Sequence, residues 1–166
     1  MKQVKCALLA LILLVSGCRS PGVGDRPIVV VDEDFGAHTL DVVDGVEGWP
    51  IAPTFRFATH ADVIALSFEH VPHTEYMIAT PHFTDCPVPE IPASAYTTVF
   101  DNDSAISCFD MTQIIGPNAP SNQMKREATH EFGHALGLPH LPEVSVMQST
   151  YAGPDEPTAI DLEALR

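Results

Sequence analysis

Basic side chains are scarce in this chain: eight lysines and arginines stand against 22 aspartates and glutamates, for a formal net charge of −14. That balance disfavours nucleic acid as a partner and disfavours adhesion to anionic lipid by charge. It is compatible with bound calcium or a cationic substrate, and a plain acidic exported domain accounts for it as well. Long apolar runs are scarce too. The unbroken run at residues 7–15 falls well short of the roughly 20 residues that a bilayer-spanning helix needs. The four cysteines never occur in C-x-x-C spacing, which removes the usual signature of a thiolate zinc site. No internal repeat and no EF-hand loop is present. At 166 residues the chain suits one domain with a proper core, not two.

The N-terminus reads as an export signal over residues 1–17. Lys2 and Lys5 make a basic start, residues 7–15 are apolar, and Ser16 and Gly17 are small. Val15-Ser16-Gly17-Cys18 resembles a lipobox, so Cys18 is expected to be lipidated and to become the mature N-terminus. The expected location is then the cell envelope, as a membrane-anchored lipoprotein that meets the membrane only through its lipid. Free secretion after cleavage near Gly17 is the alternative. Residues 18–26, rich in Gly and Pro, read as a tether, and residues 27–166 as the domain, expected to be a monomer. Cys6 leaves with the signal. Cys86 and Cys108 remain as an even pair in an oxidising compartment, so a disulfide is expected between them, with two free buried thiols as the alternative.

Ile28-Val29-Val30-Val31 is a β-branched run typical of a buried strand. Over residues 37–49, Leu40, Val43, Val46 and Trp49 recur at intervals of three, which predicts an amphipathic helix weakened by Gly45 and Gly48, with Trp49 as a core anchor. Residues 54–58 and 62–68 read as strands, Met77 to Thr80 as a short edge strand, and residues 97–101 as the last strand before a long helix. Prolines between Pro81 and Pro92 mark a surface loop. Residues 101–120 read as mostly loop, and their Asp101, Asn102, Asp103 and Asp110 make an oxygen-rich candidate for calcium. Ser121 after Pro120 is a plausible N-cap for a helix running to about Leu136. Thr158, with Asp161 three residues on, predicts a capping box and a short C-terminal helix.

The chemistry concentrates in His130, Glu131, His134, Gly137 and His140, the pattern H-E-x-x-H-x-x-G-x-x-H. His130 and His134 share one face of a helix, one turn apart. Gly137 supplies a left-handed turn that only Gly adopts cheaply. His140 then offers a third nitrogen. Three imidazoles and one open position suit a catalytic zinc, whereas structural zinc is closed by four protein ligands. Glu131 lies where it can reach a water on such a metal.

This stretch resembles the metzincin zinc endopeptidases, and the spacing to Ser145-Val146-Met147 resembles their matrixin (matrix-metalloprotease-like) branch. Met147 is then the Met-turn residue, the apolar floor of the site. Ser149 stands where the astacin and serralysin branches place a Tyr, and Leu141 stands where many matrixins carry Ser. The resemblance implies an α+β domain with a twisted, mostly parallel sheet of about four to five strands. A long N-terminal helix, an active-site helix, the Met-turn and a short helix packed beneath it complete the expected fold. Ala61-Asp62-Val63-Ile64 is similar to a stretch of the matrixin third strand. The resemblance also implies Zn2+ on His130, His134 and His140, Glu131 as general base, and a protein or peptide substrate pairing with an exposed sheet edge. A second, structural zinc on His70, His73 and His82 is conceivable by analogy, but these, like His38 and His60, read more simply as exposed loop histidines. The rival functions are a zinc-binding surface lipoprotein without catalysis and a non-proteolytic zinc hydrolase.

Overall fold

The computed structural model describes residues 27–69, 75–82, 84, 86, 93–100, 104–142, 144–150 and 153–166. The expected signal, Cys18 and the tether lie outside the described residues. So do His70, His73, Asp101, Asn102, Asp103, Tyr151 and most of the proline-rich loop.

Strand β1 (Ile28–Asp32) is the β-branched run, and Val29, Val30 and Val31 are fully buried because helices cover both faces of the sheet. The other strands are β2 (Thr54–Ala58), β3 (Glu75–Thr80), β4 (Ala95–Val99) and β5 (Ala105–Phe109). They form one five-stranded sheet in the order β2-β1-β3-β5-β4, parallel throughout except for the β4–β5 pair. The architecture is α+β, with a mostly parallel sheet as expected.

Alternation along the strands builds two cores. Val29, Val31, Met77, Ala79, Ala105 and Phe109 face one side, under α1 (Thr39–Glu47) and α4 (Gln123–Ala135). Val30, Ile78, Ile106 and Cys108 face the other with Val63 of α2 (His60–Glu69). Short helices α3 (Met111–Ile114) and α5 (Ala159–Ala164) complete the described elements.

Several expectations are corrected. Residues 62–68 are helix, not strand. Asp62 N–H donates to Thr59 Oγ1 at 3.4 Å, the N-cap bond that starts a helix, and Thr59 Oγ1 donates in turn to Asp62 Oδ2 at 2.7 Å. Val63 is buried and Leu66 packs on the same cluster three residues later, while Asp62 and Ala65 face out. The apolar run Val63 to Leu66 has no clear period, and such runs do not separate strand from helix. The third-strand likeness of Ala61 to Ile64 fails for the same reason. β3 is central rather than an edge strand, lying between β1 and β5. The loop expected over residues 101–120 contains β5, whose Ala105, Ser107 and Cys108 carry little β signal, and α3, whose N-cap is Asp110. Asp110 spends its carboxylate on Thr112 and Gln113, not on an open cation site.

The N-terminal helix is nine residues long rather than long, and a 3-10 turn (Glu33–His38) precedes it. Its buried face is Val42, Gly45 and Val46, with Trp49 just beyond, while Leu40 is 71% exposed. Gly45 is a packing requirement: a Cβ there would lie 2.6 Å from the Lys125 carbonyl and 2.8 Å from Ala128 Cβ. The N-cap position of α4 is Asn122 rather than Ser121, and the Asn122 side chain makes no capping bond but donates to Asp155 at 3.0 Å.

Candidate metal centre

Helix α4 delivers the first two imidazoles. His130 Nδ1 lies 2.7 Å from the Val146 carbonyl, and His134 Nδ1 lies 2.8 Å from the Leu138 carbonyl. A carbonyl only accepts, so each Nδ1 carries the hydrogen and each Nε2 presents its lone pair. The two Nε2 atoms are 3.1 Å apart. Two lone pairs turned toward each other at that distance suit two ligands of one ion.

The third imidazole arrives through the end of the helix. Gly137 sits at φ 90°, its N–H donates to the His134 carbonyl at 2.9 Å, and Leu138 N–H donates to the Gly133 carbonyl at 3.0 Å. This Schellman closure requires a left-handed residue, hence Gly. The chain turns back, and Leu141 N–H donates to the Met147 carbonyl at 3.0 Å, fixing the segment beside His140. The His140 ring centroid lies 5.3 Å from that of His130 and 4.9 Å from that of His134. One ligand nitrogen from each of the three histidines lies within 4.8 Å of the others.

His130 is buried, His134 half-buried and His140 exposed, so the cluster opens toward solvent on the His140 side. Burial is the main cause that pushes His130 down to about 4, with the Val146 carbonyl opposing it and the charges of His134, His140 and Arg126 adding to it. Burial likewise lowers His134, against the Leu138 carbonyl. Both helical rings are therefore neutral at neutral pH, the form that binds a metal. The donor set fits a metal such as zinc.

A closely packed floor supports the cluster. Met147 is fully buried. A Cβ at Gly133 would fall on Met147 Sδ and 2.8 Å from Trp49 Cζ2, so the glycine lets the helix settle on the methionine. Trp49 is a core anchor as expected, and its Nε1 donates to the Thr129 carbonyl at 2.9 Å. Beneath the turn, Asp161 is fully buried at the start of α5. Its carboxylate accepts from Ser145 Oγ, from Val146 N–H at 3.1 Å, from Thr158 N–H at 2.7 Å and from Thr158 Oγ1 at 2.8 Å. Burial pushes this carboxyl up, but these four bonds outweigh it and hold it below the usual carboxylate range. The expected capping box is therefore present, and its acid also fixes the residue whose carbonyl orients His130.

Glu131 is 3% exposed, and its Oε2 accepts from Thr97 Oγ1 at 2.6 Å. Ser107 Oγ lies 2.7 Å from the same Thr97 oxygen. Thr97 has one hydroxyl hydrogen and gives it to Glu131, so Ser107 donates to Thr97. Burial raises Glu131 to about 8, with the Thr97 bond opposing and the Glu127 charge adding. The Glu131 carboxylate is not one of the groups that converge with the three imidazoles. Thr97 and Ser107 carried no sequence signal, because only the β4–β5 register places them opposite each other and beside α4.

Cys86 and Cys108 form the expected disulfide, with Cα atoms 6.4 Å apart, tying β5 to the segment after β3. His60 and His82 are not exposed loop residues. His60 opens α2, His82 bridges to Asp110, and the two join Asp32 and Asp34 in a second group of metal-ligating side chains. His38 closes the 3-10 turn and bonds to Asp41 at 3.0 Å. Compared with protein-family models, with curated proteins and with solved structures, the chain matches none.

Proposed function

We propose that the chain is a zinc-dependent endopeptidase of the metzincin type, matrixin-like, exported and held at the cell envelope through Cys18. The observation that carries the reading is the convergence of His130, His134 and His140, with two Nδ1 atoms locked on carbonyls and one side open. The Met147 floor, the Asp161 buttress and the mostly parallel sheet support it.

Zinc on these three imidazoles would supply Lewis acidity toward a carbonyl and lower the pKa of a coordinated water to about 7. Glu131 is the base, in the ionised form that the charge of a zinc on the neighbouring histidines would favour against burial: its carboxylate takes a proton from the water that attacks the scissile carbonyl carbon. It then returns that proton to the nitrogen as the C–N bond breaks. Thr97, backed by Ser107, holds one carboxylate oxygen so that the other has a fixed aim. Among the described strands β4 is the edge strand nearest Glu131, and an extended protein or peptide substrate would align along that edge.

The test compares the zinc-loaded chain with its Glu131→Ala variant on a diverse peptide library. The expected result is cleavage by the wild type and a loss of at least about 100-fold in the variant with zinc retained. Equal rates from the two zinc-loaded proteins would sink the mechanism. Silence from both would favour the alternative, a zinc-binding surface lipoprotein without catalysis.

A further inference from the structure

Among the described residues, one other set of metal-ligating side chains is brought together, and none of it belongs to the centre on α4. We propose that Asp32, Asp34, His60 and His82 form a second, closed site for a divalent transition-metal ion such as zinc. The inference stands apart from the proposed peptidase activity.

Three separate parts of the chain supply the donors. Asp32 ends β1 and Asp34 lies in the 3-10 turn after it, His60 is the first residue of α2, and His82 follows β3. β1 and β3 are parallel neighbours, so their C-terminal ends lie side by side. His60 Nδ1 is 2.9 Å from Asp32 Oδ2, and His82 Nε2 is 2.8 Å from Asp34 Oδ2. The two imidazole rings stack, with centroids 3.5 Å apart and planes 30° from parallel. One donor atom from each of the four lies within 4.8 Å of the others.

Asp32 forms the base of the group. It is fully buried, and its carboxylate is fixed by Asp34 N–H at 2.9 Å and by Thr80 Oγ1 at 2.9 Å. Such bonds to ligating groups orient a site before the ion arrives. At the other end the side chains of His82 and Asp34 are 35% and 54% exposed, which leaves an entry path from solvent.

Two independent histidine–aspartate pairs are the simpler alternative. With charged rings, such pairs place two imidazolium faces 3.5 Å apart; with neutral rings, they gather two uncompensated carboxylates within 4.8 Å of each other. Two neutral imidazoles and two carboxylates around one divalent ion avoid both and cancel the charge. Nitrogen and carboxylate donors in equal number suit zinc, and calcium, which takes oxygen ligands, is a poor match. Four protein ligands leave no open position, so the role is structural: the ion would join the ends of β1 and β3 to the start of α2.

Metal content per folded chain tests this, measured on the full chain after zinc loading and dialysis, with circular dichroism to verify folding. The expected values are two zinc ions in the wild type, one in His130→Ala/His134→Ala, and one in Asp34→Asn/His82→Ala. Cobalt added to His130→Ala/His134→Ala should give the intense visible bands of a tetrahedral site, and these should vanish when Asp34→Asn/His82→Ala is added. A folded His130→Ala/His134→Ala protein with neither zinc nor such bands would overturn the proposal. If that variant does not fold, the comparison of wild type with Asp34→Asn/His82→Ala decides: equal zinc in the two overturns the site, and a loss of one ion supports it. A wild type with one ion that is lost in Asp34→Asn/His82→Ala would keep this site and remove the one on α4.

Discussion

The three imidazoles around α4 and the Asp32, Asp34, His60 and His82 group use similar donors but are held by different means. On α4, one helical turn sets the spacing of two ligands, and a Schellman turn returns the third. Behind them stand carbonyls from Leu138 and Val146 and the buried acid Asp161. At the strand ends, each histidine is held directly by the carboxylate that would share its ion. The first arrangement orients nitrogens from behind and leaves one side open. The second surrounds its centre with four protein ligands. Support from behind suits chemistry at an open position, and enclosure suits a structural tie.

The largest expected effect contrasts the two directly. His134→Ala should remove the zinc of the α4 centre and lower peptide cleavage by more than about 100-fold, beyond what loss of a supporting bond costs. His82→Ala should leave cleavage at zinc saturation within about two-fold while releasing the other ion. Metal content and initial rates on one peptide check both. Equal loss of activity in the two variants would merge the two centres into one functional unit.

The buttress under Met147 gives the next effect. Asp161→Ala leaves Ser145 Oγ and the N–H groups of Val146 and Thr158 without their acceptor inside the fold. Each buried donor so stranded costs about 1–3 kcal/mol, so denaturant unfolding should show a loss of about 3 kcal/mol or more. The Asp161 carboxyl is held below its usual range in the folded chain. Its contribution is therefore full above the unfolded value of about 3.9 and is lost as pH falls through the lower folded value. The gap between wild type and Asp161→Ala should be constant from neutral pH to about 5 and close only in stronger acid. A gap that widened with acid would contradict the assignment.

Gly45→Ala ranks third. The added methyl would meet the Lys125 carbonyl and Ala128 across α1 and α4, and overpacking of this kind costs about 1–3 kcal/mol. In an isolated helix the same change would stabilise by roughly 1 kcal/mol. The sign of the measured change in stability thus reports whether α1 presses on the helix that carries the ligands.

What was legible in the sequence was local. The ligand spacing, the Gly137 turn and the Thr158–Asp161 capping box each fit within a few residues, and β1 announces itself by four β-branched side chains in a row. The disulfide followed by elimination among four cysteines. What was not legible depends on strand order. Asp32, Thr80 and His82 meet because β1 and β3 are neighbours, and Thr97 reaches Glu131 because β4 and β5 form a hairpin beside α4. Partners 28, 48 and 34 residues apart leave no periodic trace. β5 was hidden for a different reason: Ala, Ser and Cys fill a fully buried strand, where packing rather than propensity decides.

The smallest expected effect turns on one residue that periodicity assigned to the wrong face. Spacing of three placed Leu40 in line with Val43, Val46 and Trp49, but a helix turns in 3.6 residues, and a strict three-residue row drifts off the buried stripe. Counting back four from Val46 reaches Val42, which is fully buried, while Leu40 is 71% exposed. Leu40→Ala should therefore change stability by no more than about 0.5 kcal/mol, as surface substitutions do. Val42→Ala removes two methyl groups from a closely packed core and should cost about 1–3 kcal/mol. Paired denaturant curves separate these outcomes. A large loss from Leu40→Ala with little from Val42→Ala would mean that α1 is rotated about its axis. Gly45 would then no longer face α4, and the predicted penalty of Gly45→Ala would fail with it.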